Sequence, residues 1–242
     1  LRLLQSCLLI LNIAGEHLTV INRSSMILSL SILALFGFCA GAKADEQVRL
    51  ARHPSLSPYG KDLLFSWRGD IWKVSSHGGT AQRLTHNPGE DVLPRFSPDG
   101  REIAFTSNRT GANQIHRMSN TGSRPTQLTF HSEGSILEGW APDGESLLVS
   151  ASRDHFWRHS QRFFRIPNKA RAGEKLLFNA YGRWARLSPD GSKVLFTREG
   201  TRWWRKGYVG SQSAQIWIYN LKSGRFDKIM EEPGACRYPL WK

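Results

Sequence analysis

The sequence predicts an all-β fold, a β-propeller of four-stranded blades, on three observations: a turn tetrad that recurs four times, an apolar run behind each copy, and a composition suited to short strands. The 242 residues include 22 Gly, 11 Pro, 9 Trp and 12 Phe, a mixture that favours many strands joined by tight turns over helices, where Gly and Pro are costly.

The tetrads are Ser57-Pro58-Tyr59-Gly60, Ser97-Pro98-Asp99-Gly100, Ala141-Pro142-Asp143-Gly144 and Ser188-Pro189-Asp190-Gly191, at spacings of 40, 44 and 47 residues. Pro presets the first turn residue, Asp bonds back to nearby backbone and Gly takes the left-handed position. Each tetrad follows an apolar residue, Leu56, Phe96, Trp140 or Leu187, and Trp241 fits the same slot after Pro239-Leu240. The array is therefore four blades plus the first strand of a fifth.

The second strand of each blade is read at Leu63-Leu64-Phe65, Ile103-Ala104-Phe105, Leu147-Leu148-Val149 and Val194-Leu195-Phe196. Neighbouring strand residues point to opposite faces, so consecutive apolar residues mean that both faces are buried. Third strands follow at Ile71-Trp72-Lys73-Val74, Ile115-His116-Arg117-Met118, Phe163-Phe164-Arg165-Ile166 and Ile216-Trp217-Ile218-Tyr219. Short fourth strands are expected at Arg83-Leu84-Thr85, Gln127-Leu128-Thr129, Lys175-Leu176-Leu177 and Lys228-Ile229-Met230. Such units bury both faces by stacking radially.

Ahead of the repeats, an apolar run from Ile27 to Phe38 ends in Ala42-Lys43-Ala44, a small-x-small cleavage pattern followed by Asp45-Glu46-Gln47. The run is shorter than the roughly 20 residues a membrane span needs. Residues 1–44 are read as a targeting segment, of which 1–25 is a possible over-extension ahead of Met26, and 45–242 as an incomplete propeller. The reading implies an exported protein, periplasmic or associated with the cell envelope. Cys7 and Cys39 fall in the leader, so Cys236 has no intrachain partner after cleavage.

Arg52-His53-Pro54-Ser55-Leu56-Ser57-Pro58, Arg68-Gly69-Asp70-Ile71-Trp72 and Arg83-Leu84-Thr85 together resemble the opening blade of the tricorn-type proteases. Pro94-Arg95-Phe96-Ser97-Pro98-Asp99-Gly100 and Phe105-Thr106-Ser107-Asn108-Arg109 continue the likeness, which runs over residues 50–242. Related repeats occur in TolB-type translocation proteins, but those carry an α/β domain ahead of the propeller. The resemblance implies part of a truncated six-bladed ring serving a larger serine peptidase, with a second propeller, a PDZ-like domain and a catalytic core elsewhere. The family's catalytic residues match no position here.

The residues themselves agree with that: no G-x-S-x-G elbow, H-E-x-x-H, phosphate loop or paired cysteines occur, so no catalytic residue and no cofactor is assigned. His155 and His159 have a metal-like spacing but lie in a connection without a third ligand, and His116 is read as packed inside a strand.

From turn glycine to third strand the distance grows from 11 and 15 residues in the first two blades to 19 and 25 in the last two. The inserts in blades three and four hold the candidate peptide-binding residues Trp157, Arg158, Arg202, Trp203, Trp204 and Arg205. Arginine grips carboxylates through a bidentate fork and tryptophan offers flat apolar area; packing of the inserts onto the propeller is the alternative. The expected partners are peptides or unfolded protein segments, the propeller and protease domains of a larger assembly or partner subunits, and a second copy of the chain. The net charge of +13 also suits nucleic acid, which export and the lack of any nucleic-acid module argue against. A stand-alone, TolB-like protein-binding scaffold is the alternative function.

Overall fold

The computed structural model describes residues 46–153, 161–198, 208–210, 213–230 and 234–241. The chain divides into Leu1–Gln47 and Val48–Lys242; of the first unit only residues 46 and 47 are described, so the proposed leader and its cleavage site lie outside the description. Among the described residues no helix is long and apolar enough to cross a membrane.

Among the described residues sixteen strands form four antiparallel four-stranded sheets. The first blade is β1 (Arg52–Leu56), β2 (Asp62–Trp67), β3 (Asp70–Ser75) and β4 (Gln82–Arg83); the second is β5 (Asp91–Phe96), β6 (Glu102–Thr110), β7 (Ala112–Ser119) and β8 (Thr126–Gln127). The third is β9 (Ile136–Trp140), β10 (Ser146–Ala151), β11 (Arg162–Pro167) and β12 (Lys175–Leu176); the fourth is β13 (Gly182–Leu187), β14 (Lys193–Arg198), β15 (Gln215–Asn220) and β16 (Phe226–Lys228). The propeller blades expected from the repeat are present. The fourth strands differ in their bounds: β4, β8 and β12 stop at Arg83, Gln127 and Leu176, short of the expected ends, and β16 starts at Phe226 rather than Lys228 because Tyr219 pairs with Phe226 across the tight turn at Gly224, leaving Ile229 and Met230 exposed.

The tetrads form the turns that the sequence demands. Gly60, Gly100, Gly144 and Gly191 have φ of 69–72° and donate their N–H to residue i of the turn at 2.8–3.0 Å. Asp99 Oδ1 accepts from the Ser97 hydroxyl at 2.6 Å and from the Arg101 N–H at 3.0 Å. Ser97 chiefly, then the Arg101 amide, hold the Asp99 carboxyl below the usual carboxylate range.

The core lies between blades rather than inside any one of them. Leu64, Ile71 and Leu84 of blade one meet Phe96, Ile103, Phe105 and Met118 of blade two. Ala104, Ile115 and Leu128 meet Leu137, Leu147, Val149, Phe164 and Ile166 of blade three, and Leu148, Phe163 and Phe178 meet Ala185, Val194 and Phe196 of blade four. Each fully buried side chain of this size contributes about 1.5–3 kcal/mol, so consecutive blades hold one another in place. His116 is part of this packing, stacked 5.8 Å from Phe105.

First strands touch first strands: β1 meets β5, β5 meets β9 and β9 meets β13. They therefore line the centre, and the two- or three-residue fourth strands form the rim. Among the described residues blade one does not touch blade four, and the propeller is open.

Each first strand carries a bulge. His53-Pro54 lie opposite the single residue Phe65, Leu93-Pro94 opposite Phe105 and Trp184-Ala185 opposite Phe196, while Glu138 is the extra residue in β9. His53, Leu93 and Trp184 adopt φ of 55°, a conformation that costs a residue with a Cβ on the order of 1–3 kcal/mol. Tyr238, at the matching place in the fifth repeat, has φ of 60°. The opening of the fifth repeat forms no strand among the described residues, but it shares this left-handed residue with the first strands of blades one, two and four.

Candidate functional site

Because the first strands converge, side chains around their bulges gather from residues 38 or more apart in sequence. Arg52 pairs with Glu90 at 2.8 Å near the start of β1, in an exposed position. His53 sits behind it, its pKa lowered by burial and by the neighbouring Arg52 and Arg95 charges. Glu138 is buried; one carboxylate oxygen accepts the Ala185 N–H at 3.1 Å and lies 3.5 Å from Arg186 Nη1. Burial pushes the Glu138 carboxyl upward, against the opposing effects of Ser150, Arg186 and the Ala185 and Trp184 amides. Arg95 and Arg186 both hold on to backbone carbonyls of the preceding blade, Arg95 on Pro54 and Arg186 on Glu138. The centre is therefore cationic, with one buried carboxylate built into it.

The second strands carry a hydroxyl at one repeated position, and in blade two it bonds the first strand of the next blade. Thr106 Oγ1 accepts the bulge N–H of Leu137 at 2.9 Å, and Ser66, Ser150 and Thr197 occupy the same place in the other second strands. Outer strands are locked differently: Thr85 Oγ1 accepts the Ile71 N–H at 3.0 Å and donates to Asp70, which Arg83 also grips. Thr129 repeats this with Ile115 and Gln114.

The candidate peptide-binding residues Trp157, Arg158, Arg202, Trp203, Trp204 and Arg205 all lie outside the described residues, as do His155 and His159. The bases of both inserts are described. They leave from the last pairs of their hairpins, Ala151 with Arg162 and Arg198 with Gln215, the end at which Trp67 pairs with Asp70 in blade one. Both inserts therefore emerge at one end of the blades. The first is anchored by Arg153, which pairs with Glu174, donates to Ser135 and lies 4.8 Å over the Phe164 ring. The second starts beside Arg198, 5.0 Å over Trp217.

Sequence reasoning missed Arg95, Glu138 and Arg186. Their signal is faint: the two slots ahead of the tetrad's apolar residue vary from blade to blade, where the rest of the repeat is regular. Among the described residues no cluster of His, Cys, Asp or Glu is arranged to hold a metal. The Ser76 hydroxyl and His77 ring, 3.4 Å apart, are sequence neighbours in an exposed turn.

Compared with known families, residues 48–242 match the tricorn protease N-terminal beta propeller domain. The chain belongs to that family. Tricorn protease homolog 1 of Streptomyces coelicolor is 29% identical to this tricorn-type propeller over 195 residues, which are 76% of this chain and 17% of that protein. The crystal structure of the tricorn protease superposes with a TM-score of 0.65 at 22% identity, over 81% of this chain and 20% of that one. The putative TolB from Agrobacterium tumefaciens superposes with a TM-score of 0.62 at 23% identity, over 76% of this chain and 62% of that one. At these identities the two structures establish the fold. The propeller spans about a sixth of the length of the tricorn homologue it matches.

Proposed function

We propose that this propeller is a non-catalytic part of an exported tricorn-like serine protease and docks or gates extended peptide segments for that larger enzyme. The observation that carries the reading is the position of the two inserts, whose bases share one end of the blades. Loops gathered on one side of a rigid scaffold are where binding residues concentrate. In this reading Arg202 and Arg205 engage carboxylates, while Trp157, Arg158, Trp203 and Trp204 supply apolar and stacking surface. Export rests on the leader at 1–44 and predicts a mature N-terminus at Asp45, which N-terminal sequencing checks; Leu1 or Met26 retained on a soluble cytoplasmic protein overturns it.

The docking reading is tested by fluorescence anisotropy with labelled unstructured peptides. A charge-assisted hydrogen bond contributes about 1.5–3 kcal/mol, so the Arg202→Ala, Arg205→Ala double variant is expected to bind at least tenfold more weakly. Unchanged affinity leaves the inserts as packing elements only. The second reading, a stand-alone TolB-like scaffold for folded partners, is supported by 50% identity over 48 residues to the Tol-Pal system protein TolB of Bordetella pertussis, 19% of this chain and 11% of that protein. Cross-linking that captures a folded envelope protein, with no affinity for short peptides, supports the scaffold. Light scattering of the purified chain tests whether a second copy is a partner.

A further inference from the structure

The slot two residues before each turn tetrad holds Ser55, Arg95, Gly139, Arg186 and, in the fifth repeat, Leu240. The two arginines are placed alike. Arg95 Nη1 donates to the carbonyls of Pro54 at 3.4 Å and Pro94 at 3.1 Å. Arg186 Nη1 donates to those of Glu138 at 2.6 Å and Ala185 at 2.7 Å. Each guanidinium thus spans from its own bulge to that of the preceding blade.

The blade between them has no side chain in this slot. An added Cβ at Gly139 meets nothing within 4 Å, so the wall opens where its neighbours are filled. The Arg95 backbone borders this blade, since Trp140, next to Gly139, donates its indole N–H to the Arg95 carbonyl at 3.1 Å, and the charges of Arg186 and Glu138 act on the Arg95 guanidinium.

The charges do not balance. Glu138 serves Arg186 and the bulge amides of blade four. Among the described residues Arg95 has no carboxylate within ion-pair distance, although it is half-buried. Its two bonds use the hydrogens of Nη1, leaving Nε and Nη2 without a protein acceptor but reached by solvent. Burial first, then the Arg186 charge, lowers its pKa to about 10 against the opposing effect of the Glu138 charge, so it stays protonated at neutral pH. A desolvated cation held only by carbonyls calls for an anion.

We propose that Arg95 and Arg186, with the open space over Gly139, form a carboxylate-binding subsite that holds an acidic side chain of an extended peptide against the central wall. The free edge of a guanidinium matches a carboxylate in geometry as well as charge. The subsite rests on the peptide-docking reading and gives it a sequence preference that the inserts do not supply.

The test uses the whole chain and two fluorescein-labelled Gly-Ser decapeptides that differ only in a central Glu or Gln. The Glu peptide is expected to bind about tenfold more tightly, and the ratio to fall to about one in Arg95→Gln. Gly139→Leu, which fills the opening without touching a charge, is expected to do the same, and Arg95→Lys to retain part of the preference. A ratio that survives in Arg95→Gln or in a folded Gly139→Leu overturns the subsite. Equal binding of both peptides to the unaltered chain overturns the subsite and leaves docking standing; failure of either peptide to bind overturns both.

Discussion

The indole N–H of Trp241 donates to the backbone carbonyl of Arg186 at 3.1 Å. Trp140 makes the same bond to Arg95, at the same length, one pair of blades earlier. The Cys236 N–H likewise reaches the Ala214 carbonyl at 2.7 Å, as Asp91, Ser135 and Gly182 reach Gly69, Asn113 and Gln161. The opening of the fifth repeat is therefore docked on blade four by the backbone contact that joins every other pair of blades, and by an indole bond that it shares with the junction of blades two and three.

Trp241→Phe is expected to loosen this segment alone. It removes a hydrogen bond that contributes about 0.5–1.5 kcal/mol. Hydrogen exchange should quicken at the Cys236 amide and stay unchanged at the Asp91 amide. Equal change at both sites would show that the indole bond acts on the whole array.

Two glycines in first strands should respond in opposite ways to alanine. At Gly182 an added Cβ lies 2.5 Å from the Thr197 carbonyl and 2.7 Å from the Phe196 ring, in the tightest part of the blade-three to blade-four core. Gly182→Ala is expected to destabilise by about 1–3 kcal/mol. Gly139→Ala, with nothing within 4 Å, should leave the urea midpoint nearly unmoved.

The ion pair of Arg109 with Asp91, at 2.7 Å, is buried on the carboxylate side and nearly so on the other. Breaking such a pair from one side leaves a buried charge alone and costs about 3–5 kcal/mol. Arg109→Met should show this loss, and adding Asp91→Ala should recover most of it. Additive losses in the double-mutant cycle would mean that the pair is not coupled.

His116 is buried, and burial outweighs its Gln114 carbonyl contact in lowering its pKa from 6.5. Its folded pKa lies below the unfolded one, so the unfolded state binds more protons between the two. Stability should be full above about pH 6.5 and fall as the pH drops toward the folded value. His53, lowered for the same first reason, adds to this slope. Thermal melts between pH 5 and 8 should show a shallower slope for His116→Phe, which keeps the stack on Phe105; an unchanged slope assigns the acid loss elsewhere.

What the sequence by itself determined is whatever depends on neighbours in the chain. The tetrad turns needed a glycine at φ near 70°, and that requirement is written at Gly60, Gly100, Gly144 and Gly191. Apolar doublets such as Leu147-Leu148 and Ile103-Ala104 declared two buried faces, because alternate strand residues point opposite ways. Even the opening of a fifth repeat was legible, from Trp241 in its slot. The inserts were legible as lengths, through the growing gap between turn and third strand.

Only the tertiary structure decided the rest. The bulges put His53, Leu93, Trp184 and Tyr238 in a left-handed conformation that none of these residue types announces; blade packing imposes it and offsets its cost. Arg95, Gly139 and Arg186 look unrelated in the chain, since 44 and 47 residues separate them. They become neighbours because stacked blades repeat one slot around one centre. Charge balance there is a property of the stacked blades, and no local stretch of sequence carries it: Glu138 bonds Arg186 and a blade-four amide and reaches Arg95 through its charge alone.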